Sequence, residues 1–166
     1  MDFPEPNAPA SSRAEVFVRY LDYLRSRMVE KVRALPPDER AASRLPSGWT
    51  PLELLNHLRH VERRWIEWRF EGRAVPDPWA DEREGRWHAD LPLPELVAAL
   101  EAQAEYTNMV ASTTDLSRLG EPGPGWPGAG EPATLERVLF HLLQEYARHL
   151  GHLDIVTELA AGPVGE

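Results

Sequence analysis

Apolar positions recur every three or four residues along four stretches of the chain, and no stretch alternates for long in the manner of a half-buried strand. The first runs from about Ser12 to Leu35. Val16, Phe17, Tyr20, Leu21, Leu24, Met28 and Val32 mark its repeat, and Pro36-Pro37 stops it. Asp38 to Trp49 reads as a linker with a turn at Pro46-Ser47-Gly48. The second stretch has the clearest beginning. Thr50 stands at the N-cap, Pro51 at the first helical position, and Glu53 completes a capping box. This helix reaches about Phe70 and ends near Gly72. After an irregular segment from Arg73 to Pro92, a third helix begins near Pro94 and passes Leu96, Leu100 and Met109 to about Thr114. The breaker-rich run Glu121 to Pro132 is neither helix nor strand. Thr134 then caps a fourth helix that continues to about Leu159, before Gly162-Pro163.

Four long helices predict an all-α four-helix bundle, antiparallel or mixed. The second and third connections are too long for tight helical hairpins, so they either cross over the bundle or cover a pocket at its end. Trp79, Trp87 and Trp126 lie in those connections and either line a substrate mouth or plug the bundle end. Residues 1–11 are expected to form a flexible segment, 12–160 one domain and 161–166 a tail.

Composition narrows the function. The chain has 166 residues, 42% of them hydrophobic, which suits one domain with a core. The formal net charge of −9, with 18 basic against 27 acidic residues, leaves no basic patch for a nucleic acid. No run approaches the roughly 20 apolar residues of a membrane span. No cationic head with an apolar run opens the chain, so a cytoplasmic protein is expected. Cysteine is absent, which excludes disulfides, thiolate ligands and a thiol nucleophile borne by the chain. Any thiol chemistry needs a thiol from outside.

The fourth helix carries the candidate chemistry. Its inward stripe reads Leu135, Val138, Leu139, Leu142, Tyr146, Leu153 and Val156. Glu145, His149 and, nearer the margin, His152 fall on the same side at helical pitch. An unsatisfied polar group in such a stripe costs about 1–3 kcal/mol, and an unpaired charge costs more. The i, i+4 spacing lets Glu145 and His149 lean toward one point, where a divalent cation or a simple hydrogen bond would satisfy them. The second helix presents Leu54, Leu55, Leu58, Val61, Trp65 and Trp68, with His57 on one edge of that face and Glu62 on the other. His60 lies outside it and is expected in solvent. His57, Glu145 and His149 together make a two-histidine, one-carboxylate set with open positions, the pattern of a catalytic metal site. Histidines satisfied within a core are the other reading of that spacing. Glu62 is expected to pair with an arginine of a neighbouring helix, and Tyr146 to be ordinary packing. His141, Arg148 and Asp154 are expected away from the stripe centre.

Two motifs carry a family resemblance. Thr50-Pro51-Leu52-Glu53-Leu54-Leu55-Asn56-His57-Leu58, followed by Val61-Glu62-Arg63 and Trp65, resembles the start of the second helix of DinB-like bundles. Glu145-Tyr146-Ala147-Arg148-His149-Leu150-Gly151-His152-Leu153-Asp154-Ile155 resembles their fourth-helix signature. The chain is most similar to the actinobacterial DUF664 branch, related to the mycothiol-dependent maleylpyruvate isomerases. The resemblance implies a DinB/YfiT-like bundle in up-down-down-up order with a metal inside one end. It implies His57, Glu145 and His149 as ligands, where many relatives have a third histidine in place of Glu145. His152, where many relatives have glutamine, becomes a candidate for supporting the ligands. The isomerases carry a further carboxy-terminal domain. The chain ends at Glu166, so maleylpyruvate is not the expected substrate.

The implied cofactor is a divalent ion, with zinc ahead of nickel, iron and manganese, and mycothiol is the implied co-substrate. The implied activity is an S-transferase or isomerase acting on a small electrophile, with no nucleic-acid or membrane partner. Two readings from other classes stand beside it. One is a non-catalytic bundle that holds a metal or small ligand; the other is a polar layer that only fixes helix register. Extra aromatics on the first helix, Phe17, Tyr20 and Tyr23, suggest a homodimer unless all are core.

Overall fold

The computed structural model describes residues 1–128 and 130–160. The four expected helices are α1 (Arg13–Ala34), α3 (Pro51–Arg63), α4 (Leu93–Thr113) and α5 (Leu135–Leu159). A single extra turn, α2 (Pro37–Arg40), lies inside the stretch read as a linker, with Pro37 at its first position. The starts are where the side chains dictate. Ser12 accepts the Glu15 N–H, Thr134 accepts the Arg137 N–H, and Thr50 with Glu53 forms both bonds of the capping box.

Cross-links between helices fix their directions. Arg13 pairs with Glu136 and Lys31 with Asp154, so α1 and α5 run parallel. His57 faces His149, Glu62 meets Tyr146 and Trp65 meets His141, so α3 runs antiparallel to α5. Tyr106 of α4 binds Glu71 just beyond α3, and just past α4 Arg118 O accepts the Leu135 N–H that opens α5, so α4 ends where α3 ends and runs alongside it in the same direction. The order is therefore up-down-down-up. The core is formed by fully buried residues such as Leu21, Met28, Leu54, Leu58, Leu96, Leu139, Leu142 and Leu153. Among the described residues no helix is long and apolar enough to cross a membrane.

A polar network penetrates that core. The Glu62 carboxylate, fully buried, accepts from Arg25 Nη2, from Arg25 Nε at 3.3 Å and from the Tyr146 hydroxyl at 2.7 Å. Arg25 also donates to Asp22 at 2.7 Å and to Asn108 at 3.1 Å. Glu62 thus finds its arginine on a neighbouring helix as expected. Tyr146 is more than packing: its hydroxyl closes the network.

Beyond Arg63 the helix widens into a π-helical segment, Arg64–Phe70. The carbonyls at its end have no later turn to bond and are left for neighbouring chain to use. Gly123 N–H donates to Trp68 O at 2.7 Å and Glu121 N–H to Phe70 O at 3.0 Å. Gly120 is required there, because a Cβ would come within 2.7 Å of the Phe70 backbone. The 73–92 connection contains a two-stranded hairpin absent from the sequence reading, β1 (Glu82–Arg83) with β2 (Arg86–Trp87). Glu84 and Gly85 make its turn with φ of 54° and 73°, the left-handed pair that a tight hairpin of this hand demands.

Residues 1–11 run back along α1. Phe3 packs edge-on against Tyr20 and Tyr23 at 5.8 and 5.2 Å, and Arg19 donates to Pro9 O. The expected tail at 161–166 lies outside the described residues.

Candidate metal centre

His57, Glu145 and His149 converge. Each offers one ligand atom, and these atoms all lie within 4.8 Å of one another. Three physical facts bring them together: capping starts α3 at Thr50, antiparallel packing lays α3 against α5, and one helical turn separates Glu145 from His149. His149 Nε2 lies 3.3 Å from Glu145 Oε2. That matches the roughly 3.3 Å edge of a tetrahedron whose ligands stand about 2.0–2.1 Å from a zinc-like ion. His149 is almost wholly buried, and its Nδ1 has no hydrogen-bond partner. The donor set and its spacing fit a cation site.

The electrostatics suit a cation as well. The hydrogen bond with His149 holds the Glu145 carboxyl below its ordinary value; burial works the other way, and the neighbouring His141, His149 and His57 rings reinforce the lowering. Glu145 is therefore an anion at neutral pH. Side-chain exposure rises from 8% at His149 and 12% at His57 to 24% at Glu145 and 36% at His141, so the cluster opens on the Glu145 side.

Behind His57 stands a support that the sequence reading missed. Asp81, from the 73–92 connection, is fully buried and its Oδ2 lies 3.0 Å from His57 Nδ1. Arg64 grips the same carboxylate with both terminal nitrogens, Nη2 to Oδ2 at 3.1 Å, and ties it to Pro78 O at 2.9 Å. Burial raises the Asp81 carboxyl, but hydrogen bonds from His57 and Arg64 and the Arg64 charge win, leaving it below its ordinary value. An anionic Asp81 places the imidazole proton on Nδ1 and leaves Nε2 to face the cluster. On its ring face His57 is stacked by Trp87 at 4.1 Å with planes 18° apart, and Trp87 also meets the His149 edge at 5.4 Å.

Residues 16–162 match the family model of the mycothiol-S-transferases. The chain belongs to this family. Its DinB-like fold has solved counterparts. One is YfiT from Bacillus subtilis, a "probable metal-dependent hydrolase with an unusual four-helix bundle topology" (TM-score 0.65, 13% identity, 98% of this chain and 95% of that one). Another is a DinB-like protein from Bacillus cereus ATCC 10987 (TM-score 0.62, 14% identity, 90% of this chain and 94% of that one). Identities this low speak for the fold and not for the chemistry. No curated protein matches the chain.

Within this member of the mycothiol-S-transferase family the remaining candidates divide clearly. His152 sets its ring against His149 at 5.4 Å and is half-buried. His141 rests on Trp65 at 4.5 Å, with Nε2 3.6 Å from Glu145 Oε1. Arg148 is exposed, and Asp154 pairs with Lys31 at 2.7 Å. The three loop tryptophans separate: Trp87 joins His57 and His149, whereas Trp126 and Trp79 pack on Trp68 beside the π-helical segment.

His60 corrects the sequence reading. It is 4% exposed rather than solvated, because the 73–92 connection covers the face of α3 that a two-helix view leaves open. Burial, helped by Arg59, Arg64 and Arg63 and opposed by Asp81, pushes its imidazole down to about 4. The neutral ring is the native form, while the unfolded chain binds a proton near the ordinary value. Stability from this group is thus complete above about pH 6.5 and falls as the pH drops toward 4, by up to about 3 kcal/mol. His60→Leu should flatten that part of a urea-midpoint-against-pH curve; an unchanged slope would assign the acid loss to other groups.

Asp81→Asn is expected to weaken metal binding by about 10–100-fold, the usual effect of losing a carboxylate behind a ligand histidine. Competition against a chromophoric chelator measures it. The variant should also melt earlier, since Arg64, at 4% exposure, keeps an uncompensated charge.

Proposed function

We propose that the chain is a metal-dependent thiol transferase that joins mycothiol to a small electrophile. The observation that carries this reading is the convergence of His57, Glu145 and His149 in a member of a family named for mycothiol S-transfer. Two imidazoles and one carboxylate favour zinc, with nickel, iron or manganese as the other divalent choices.

When bound, a divalent cation supplies the Lewis acidity that keeps a thiol as thiolate at neutral pH. The protein's own groups set the stage. Asp81 and Trp87 fix the His57 ring from its edge and its face. Glu145 contributes the single negative charge of the set. His149, in the dry interior, limits competition from water. The chain has no cysteine, so the nucleophilic sulfur is the co-substrate's. That sulfur forms the new S–C bond, the electrophile's leaving group departs with the bonding pair, and the thiol proton leaves on the more open Glu145 side.

Protein loaded with zinc and protein stripped by chelator should be incubated with mycothiol and a test electrophile, with the thioether followed by mass spectrometry. Turnover is expected only when metal and thiol are both present. Metal or ligand uptake with no turnover under any condition would instead make this a binding bundle.

The setting proposed is cytoplasmic, with small molecules as partners and neither nucleic acid nor membrane. A homodimer is part of the proposal, although Tyr20 and Tyr23 are covered by Phe3 of the same chain. Its support is the exposed Phe140, Ile155 and Leu159 of α5.

A further inference from the structure

Beside the Trp87 indole that braces His57 lies a cavity of about 190 Å³, bounded by Trp49, Trp87, Arg86, Glu53 and Ser47. The two indoles stand 6.1 Å apart with planes tilted by 48°, which makes an aromatic wall rather than a flat stack. The Arg86 guanidinium is exposed. Among the described residues its one hydrogen bond is long, Nη2 to Gly48 O at 3.3 Å, and no carboxylate pairs with it. Glu53 commits Oε2 to the Thr50 N–H at 2.8 Å and keeps Oε1 as an acceptor. Ser47 adds a hydroxyl that both donates and accepts.

The guanidinium and the carboxylate cancel, so the wall selects neither an anion nor a cation. It offers apolar ring faces next to separate donors and acceptors. The ligand that matches such a wall has C–H faces for the indoles and several hydroxyls for the polar groups: a polyhydroxylated ring. We propose that this cavity seats the sugar–cyclitol body of the thiol co-substrate, on the Trp87 side of the His57, Glu145 and His149 cluster. The inference rests on the thiol-transfer reading above and adds the residues that recognise the thiol's carrier. Trp49 and Arg86 are the recognition groups, and neither touches the metal cluster.

The test separates carrier from sulfur. The probe is the thiol-free glucosaminyl-inositol, titrated calorimetrically into the full chain, both zinc-loaded and chelator-treated. It should bind in both states. Arg86→Ala and Trp49→Ala should each weaken it by about tenfold or more, whereas Trp49→Phe keeps most of the affinity because a ring remains. Arg86 is exposed, so its variant tests the idea even if Trp49→Ala is unstable. A second readout uses cobalt-substituted protein and N-acetylcysteine, whose sulfur-to-cobalt absorption band reports the metal cluster alone. The band is expected unchanged in all three variants. Equal binding of the probe by wild type and Arg86→Ala, or no binding by wild type at millimolar probe, overturns the proposal. No cobalt band in any protein, with probe binding still lost in the variants, overturns the thiol-transfer reading and leaves the subsite standing.

Discussion

His149→Ala is expected to abolish metal uptake while the bundle stays folded. Two of three ligands remain in the variant, and the one removed is the most buried of the set. The Glu145 carboxylate also loses the hydrogen bond that chiefly holds it below its ordinary value. Folding does not suffer in proportion, because the native imidazole already carries an unpartnered buried nitrogen. A ligand that binds only the native state at about a thousandfold excess over its Kd stabilises it by about 4 kcal/mol. Added zinc should therefore raise the melting temperature of the wild type and leave that of His149→Ala unmoved. Elemental analysis after chelator-free purification should give one divalent ion per wild-type chain and none in the variant. Stoichiometric metal in the variant would remove the basis of the proposed chemistry. A stabilised protein after replacing Glu145 and His149 together by leucine, with no metal in the wild type, would support a polar layer that only sets register.

Glu62→Ala is expected to produce the largest loss of stability, about 3–5 kcal/mol, because it leaves the Arg25 guanidinium buried without its main partner. A guanidinium does not give up its proton in a protein interior, so Arg25 cannot escape the loss of its partner by becoming neutral. Tyr146→Phe should cost less, about 1–3 kcal/mol, since it removes a single donor from a carboxylate that keeps its arginine. The joint change Arg25→Met with Glu62→Leu should recover most of the loss, since it removes both charges at once. Urea denaturation of the four proteins measures these differences. A Glu62→Ala variant within about 0.5 kcal/mol of wild type would mean that water reaches Arg25.

The parts of this protein that are visible in its sequence are those decided by neighbours along the chain. Ser12, Thr50 with Glu53, and Thr134 announce helix starts because capping is local. Glu145 and His149 are legible as a pair because one helical turn separates them. His57 is legible because it borders an apolar face. Asp81 is not, since it stands 24 positions further along, beyond the end of the helix, and no local pattern marks the return. The wheel of an isolated helix sends His60 to water, and the covering connection reverses that. The π-helical winding at Arg64–Phe70 has no signature in composition, and the N–H groups of Glu121 and Gly123 that tie its end come from far along the chain. Tyr146 looked like packing because its ring is apolar, and its hydroxyl partner lies on another helix.

The small hairpin that delivers Asp81 and Trp87 has a thermodynamic consequence. Both residues touch His57, so an ion held there would order the loop and the ordered loop would favour the ion, equally in both directions. A substitution at the Glu84-Gly85 turn, far from any ligand, is then felt as a change in how tightly the cation is held, and a chelator acts as a loosening agent on a segment it never contacts.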